Sequence, residues 1–216
     1  VLAVASASAD GGWLDAAPTG WNQANAPIPT APPLRQSQVR CQNQERAATE
    51  TAETQLRAQG WRLESYWPAA EQGNLTLVTA LADYDGMCRP LEFNVFAFVD
   101  GGYAGTLSPV LMDSRTDGVL AFVPGGANPS AASPSQLKAS FLRYAPTDPL
   151  CCPSRPATTV TYQIVNGVVV PTAIGVATPT TLPKTGGPPV PIVGGVALAG
   201  GLFALLLGRR LRRSPT

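Results

Sequence analysis

Residues 91–109 read LEFNVFAFVDGGYAGTLSP. Leu91, Phe93, Val95, Ala97 and Val99 recur at every second position, the pattern of a strand with a buried face. Asp100-Gly101-Gly102 follows at once. A tight hairpin turn needs positive φ, which glycine adopts without steric cost. Tyr103 to Leu107 then returns as the partner strand. The stretch is a β-hairpin, and it sets the fold class of the domain around it.

The same period recurs on both sides. Leu75, Leu77, Thr79 and Leu81 alternate in LTLVTAL, and GVLAFV at 118–123 reads as another short strand. Leu137, Ala139 and Phe141 alternate in QLKASFLRY, and Val160, Tyr162 and Ile164 in TVTYQI. Asn166-Gly167 is a second hairpin signal, leading to Val168–Val170. VPGGANPSAASP, 123–134, reads as a long loop between strands. Ahead of the strands, Gln42 to Gln59 contains neither Pro nor Gly. Ala48, Ala52 and Leu56 share a face, Glu53 and Arg57 form an i, i+4 pair, and Gly60 stands at the C′ position. The thin apolar stripe predicts a helix lying on a sheet, with Glu45, Glu50 and Glu53 as its solvated face. The expected class is α+β: an antiparallel meander of six or seven strands with one N-terminal helix. An open half-barrel or a small sandwich is the alternative.

The chain carries 15 basic and 14 acidic residues, net +1, and four of the arginines lie in 209–216. The remainder is slightly acidic, which argues against nucleic-acid binding. Pro and Gly concentrate in 10–36 and in 166–189. Both read as linkers, extended and poor in core contacts. Between them, 37–165 is long enough for one globular domain. Residues 1–9, VLAVASASA, read as the end of a secretory signal peptide, with Ala7-Ser8-Ala9 as the cleavage site.

At the other end, residues 190–208 hold no charge and read VPIVGGVALAGGLFALLLG. A helix of ~20 apolar residues spans the hydrocarbon core of a bilayer. Pro191 falls in its first turn, where proline is tolerated. Arg209, Arg210, Arg212 and Arg213 follow directly and stay on the cytoplasmic side, leaving the preceding chain outside. A buried core helix is the competing reading, and the adjoining arginines argue against it. Just upstream stands Leu182-Pro183-Lys184-Thr185-Gly186. LPxTG, apolar span and basic tail in this order resemble the cell-wall sorting signal of bacterial surface proteins. That resemblance implies a sortase-type transpeptidase cutting between Thr185 and Gly186 and joining the threonine carbonyl to an envelope amine. The alternative is a tail that stays as a permanent membrane anchor.

Four cysteines occur, Cys41, Cys88, Cys151 and Cys152. Export permits disulfides, and four cysteines allow three connectivities. Adjacent cysteines bridge each other only with strain, so Cys151 and Cys152 are each expected to reach one of Cys41 and Cys88. A redox-active vicinal pair is one competing reading. A four-thiolate zinc site is another, although no C-x-x-C is present.

The chain contains no histidine, which removes Ser-His-Asp and Cys-His schemes and the usual zinc hydrolase ligands. A Ser-Lys dyad would need Lys138, on a strand and expected to face solvent, because Lys184 belongs to the sorting signal. Asp83 with Asp85, and Asp113 with Asp117, are candidate carboxylate pairs for calcium or for acid–base work. The plainer reading makes them turn formers. Trp61 and Trp67, with Tyr66, read as core before they read as a ligand platform. No metal or cofactor site is expected.

EFNVFAFVDGGYAGTLSP, MDSRTDG and RYAPTDPLCCPS, in that order, resemble the LppP/LprE lipoprotein family of bacterial envelopes over about residues 75–164. The resemblance carries structural motifs, among them the strand-turn-strand with Gly105, and no settled biochemical activity. The lipoproteins have an acylated cysteine right after the signal peptide. Here none precedes Cys41, so the C-terminal signal is expected to serve as the anchor instead. The function read from the sequence is an exported, surface-anchored envelope protein with a non-enzymatic binding or structural domain. A surface hydrolase using paired carboxylates and a thiol oxidoreductase are the alternatives.

Overall fold

The computed structural model describes residues 11–34, 39–121, 129–133 and 136–176. The expected signal-peptide end, the sorting signal, the apolar span 190–208 and the basic tail lie outside the described residues. Among the described residues no helix is long and apolar enough to cross a membrane.

The fold is α+β and mostly antiparallel sheet. The first sheet contains β1 (Arg62–Leu63), β2 (Ala70–Gln72), β3 (Leu75–Tyr84), β4 (Pro90–Val99) and β5 (Gly102–Thr106). Its order is β1-β3-β4-β5, with β2 also on β3. The second contains β6 (Ser130–Ser133), β7 (Gln136–Arg143), β8 (Arg155–Val165) and β9 (Val168–Val176), in sequence order. The expected meander therefore exists within each sheet, but two sheets replace one. The break falls between β5 and β6, and the described part of the expected strand 118–123, residues 118–121, forms a single isolated bridge, Leu120 with Phe141. The expected loop 123–134 in turn contains β6. Both hairpin turns form as read. Asp100 and Gly101, and Asn166 and Gly167, all have positive φ, and Val99 pairs with Gly102 as Val165 does with Val168.

Alternation explains the layering. Leu75, Leu77, Leu81, Phe93, Val95 and Ala97 of the first sheet share a core with Leu137, Phe141, Val160 and Tyr162 of the second. The intervening Val78, Ala80, Phe96 and Phe98 form a second core with Ala52, Leu56, Trp61 and Leu63. Both faces of β3 and β4 are thus buried. Pairing period-two strands on one face and a helix stripe on the other yields three layers.

The helix is shorter than expected. A 3-10 helix covers Val39–Gln44, and α1 runs only over Thr51–Ala58. Glu50 and Glu53 form a capping box that starts the helix there, and the N–H of Gly60 caps its end on Arg57. Glu53 is buried instead of solvated. It accepts Arg46 Nη2 at 2.5 Å and the backbone N–H of Thr49 at 2.8 Å. Burial alone would raise the carboxyl, but Arg46 and the Thr49 and Glu50 amides outweigh it and hold it at about 2.

The domain is also longer than 37–165 at both ends. β9 carries it to Val176. Before it, residues 11–34 of the segment expected as linker 10–36 are part of the fold: Gly11–Asp15 is a 3-10 helix, and Leu14 lies in the core. Asp15 reaches the guanidinium of Arg143, whose side chain is 3% exposed, at 2.9 and 2.7 Å. Proline richness extends such a segment but does not keep it off a surface when tryptophans stud it. Trp13 packs edge-on against Phe141, and Trp21 against Trp13 and Tyr162.

Candidate functional site

The N-terminal strap continues from Trp21 to Thr30 beside the first sheet. Trp21 Nε1 donates to Thr106 O at 3.1 Å, and Trp61 Nε1 donates to Pro29 O at 2.7 Å. Between these tethers Asn22 acts as a surrogate strand residue. Its Oδ1 accepts Thr106 N–H and its Nδ2 donates to Thr106 O, both at 2.9 Å, so it pairs with the open edge of β5. The same Nδ2 also donates to Val169 O of β9 at 2.9 Å. The approach is permitted by Gly105, at φ +122 and beside a bulge where Ala104 has no partner on β4.

Strap and sheet enclose an open cavity of about 440 Å³. Its floor includes Asn94, Phe96, Tyr103 and Trp61, and one rim is Ser108–Leu111. None of the described residues lining it is acidic or basic. Its polar groups are largely committed within the wall. Asn94 Nδ2 donates to Ser108 O at 3.0 Å and Val110 O at 3.2 Å. Ser108 Oγ donates to Val110 O, and Thr106 Oγ1 to Ser108 O. The Tyr103 hydroxyl and the Gln23 carboxamide donate to no described residue. Burial pushes the Tyr103 phenol up to about 12, so it stays a neutral donor across the physiological range.

Of the residues singled out by sequence, Trp61 and Gly105 line this cavity, and the candidate carboxylates, cysteines and lysine do not. Trp61 is core and wall at once, Trp67 packs on Phe93, and Tyr66 is 81% exposed. Of the four carboxylates, none lines the cavity. Asp83 is fully buried in β3, not in a turn. Asp85 closes a turn by accepting Met87 N and Arg89 N at 2.7 and 2.9 Å and pairs with the Arg89 guanidinium. Burial opposes ionisation there, but Arg89 keeps the carboxyl low. Asp113 accepts Glu92 N at 2.7 Å. Asp117 holds Arg143 with both oxygens, at 3.0 and 3.2 Å. Lys138 is exposed, as read.

The cysteines pair otherwise than expected. Cys41 is bonded to Cys88, and Cys151 to Cys152. Cys88 sits in the Asp85–Arg89 turn beside the 3-10 helix of Cys41. The β7–β8 connection instead closes on itself: Asp148 Oδ2 accepts Ala145 N at 2.7 Å and Ser154 N at 2.8 Å, which keeps its carboxyl low. Both Cys151 and Cys152 are exposed there.

Residues 70–167 match the family model of the LppP/LprE lipoproteins. No curated protein and no solved structure matches the chain. The LppP/LprE-like region runs from β2 to the second hairpin turn and points to the cell envelope, with no activity attached. Gly105 and Arg143 lie inside it, while Asn22 and Asp15, which meet them, lie outside. The strap therefore lies outside the matched region and packs against it through Asn22 and Asp15. Asn22, Trp21 and Tyr103 escaped sequence reasoning. The available signal was the pair of tryptophans in a segment otherwise composed like a linker.

Proposed function

We propose that this chain is an exported envelope protein, displayed outside the membrane through its C-terminus, whose α+β domain is a non-enzymatic binding or structural module. The order Leu182-Pro183-Lys184-Thr185-Gly186, apolar run 190–208, arginines 209–213 carries the reading. A sortase-type transpeptidase breaks the Thr185–Gly186 peptide bond and acylates an amine of the envelope with Thr185, and Gly186 leaves as the new amino terminus. Pro179, Pro183, Pro188 and Pro189, which flank or lie within the signal, suit an extended substrate, since proline fixes φ. The neutral cavity supports binding over catalysis, because no carboxylate lines it among the described residues. Thr185→Ala tests the anchoring. The parent protein is expected in the wall fraction, resistant to detergent until the wall is digested. The variant is expected to stay detergent-extractable. Equal extraction of both contradicts the proposal.

One observation favours a second reading. Cys151 and Cys152 are exposed and bonded to each other, the condition a thiol oxidoreductase needs. The disulfide would take two electrons and two protons from a dithiol, becoming two thiols while the substrate becomes a disulfide. Turnover of a dithiol peptide that is lost in Cys151→Ser would support it, and no turnover would end it.

A further inference from the structure

We propose that the cavity beneath the N-terminal strap binds an uncharged organic molecule with a flat, apolar body and one hydrogen-bond acceptor for Tyr103. This rests on the reading of the domain as a binding module and names its ligand class. Four observations carry it. The volume, about 440 Å³, is within the range of small-molecule sites. The described lining side chains contain no charge, so a bound ion would lose its hydration with no described charge to replace it. Aromatic and proline surfaces dominate the wall, from Trp21, Trp61, Phe96 and Tyr103 to Pro27 and Pro109. The polar groups of Asn22, Asn94, Thr106 and Ser108 are already paired, which leaves the Tyr103 hydroxyl on the sheet and the exposed Gln23 carboxamide on the strap as the lining donors without a described acceptor.

The site is built and not incidental. Asn22 and Trp61 fix the two ends of the strap by hydrogen bonds to the sheet edge and to Pro29. A wall held at both ends keeps its shape when empty, which reduces the ordering cost of binding.

Two probes on one ring system separate the classes: propionyl-dimethylaminonaphthalene, an uncharged ketone, and dimethylaminonaphthalene carboxylate, its anionic counterpart. Energy transfer from tryptophan to each probe is titrated on the full chain in lipid nanodiscs, with empty nanodiscs as the blank. The ketone is expected to saturate at one site and to bind at least ~10-fold tighter than the carboxylate, since a buried charge without a partner is costly. Tyr103→Phe is expected to weaken the ketone about 5- to 10-fold without moving the melting temperature, because the hydroxyl donates to no described residue. Gln23→Arg, at an exposed wall position, is expected to raise carboxylate affinity. Carboxylate binding as tight as the ketone overturns the ligand class and leaves the binding-module reading standing. An unchanged ketone affinity in Tyr103→Phe overturns the role of the phenol. No saturable binding of either probe overturns the proposal together with the binding-module reading, while sortase anchoring is untouched.

Discussion

The carboxamide of Asn22 occupies the space where a side chain at position 105 would begin. A Cβ on Gly105 overlaps it, and Gly105 has φ +122. Gly105→Ala therefore meets both strain and collision, and is expected to cost about 3 kcal/mol in urea unfolding. Asn22→Ala loses its bonds to Thr106 and Val169. Once Asn22 is gone the collision is gone, so the double variant should be more stable than the sum of the two losses implies. Strict additivity would show that the two residues do not meet.

Arg143 is buried between two carboxylates of unequal exposure. Asp117 is 22% exposed and Asp15 54%. Arg143→Met strands Asp117 and is expected to cost ~3–5 kcal/mol. Asp15→Asn removes the mostly solvated partner and is expected to cost no more than ~1 kcal/mol. Equal losses by urea denaturation would contradict this ordering.

Acid should destabilise the fold through Glu53. Its carboxyl is held at about 2 against an ordinary 4.5. A depressed native value contributes stability that is complete above the unfolded value and disappears as pH falls from about 4.5 through 2. The amount is roughly 3 kcal/mol. Glu53→Gln is expected to flatten the stability curve across that window, measured by chemical denaturation at each pH.

Glu64 has the opposite sign. It is 3% exposed and accepts the Tyr84 hydroxyl at 2.8 Å. Burial raises its carboxyl. Its favourable contribution is present below the unfolded value and is lost as pH rises through the native one. Glu64→Gln is therefore expected to be more stable than the parent at neutral pH, with the difference closing in acid. A variant less stable at pH 7 than at pH 4, relative to the parent, would refute it.

The two disulfides should differ in worth. Cys41–Cys88 closes a separation of 47 residues and is expected to contribute ~3–4 kcal/mol by restricting the unfolded chain. Cys151–Cys152 has a separation of 1, closes no comparable loop, and is expected to contribute almost nothing by that route. Melting of the Cys41→Ser/Cys88→Ser and Cys151→Ser/Cys152→Ser variants reads both, and a larger loss in the second would contradict the account.

Local signals in the sequence translated directly into structure. Asp100-Gly101 and Asn166-Gly167 specify their turns through backbone conformation alone, and Leu56 and Gly60 mark a helix face and its end. Long-range partners were not legible. Glu53 looks solvated until Arg46 folds over it, and Asp117 looks like a turn former until Arg143 arrives from β7. Alternation assigns one buried face to β4, yet Phe96 and Phe98 are buried on the other because α1 covers it. The cavity was invisible for the same reason: its walls come from a strap and a sheet that only the tertiary fold brings together.

Mass spectrometry of the mature protein from cells tests the central claim most directly. The account predicts a C-terminal peptide ending at Thr185 and carrying an envelope-derived amine on its carbonyl. A peptide intact through Thr216 would contradict it and leave a plain membrane anchor in its place.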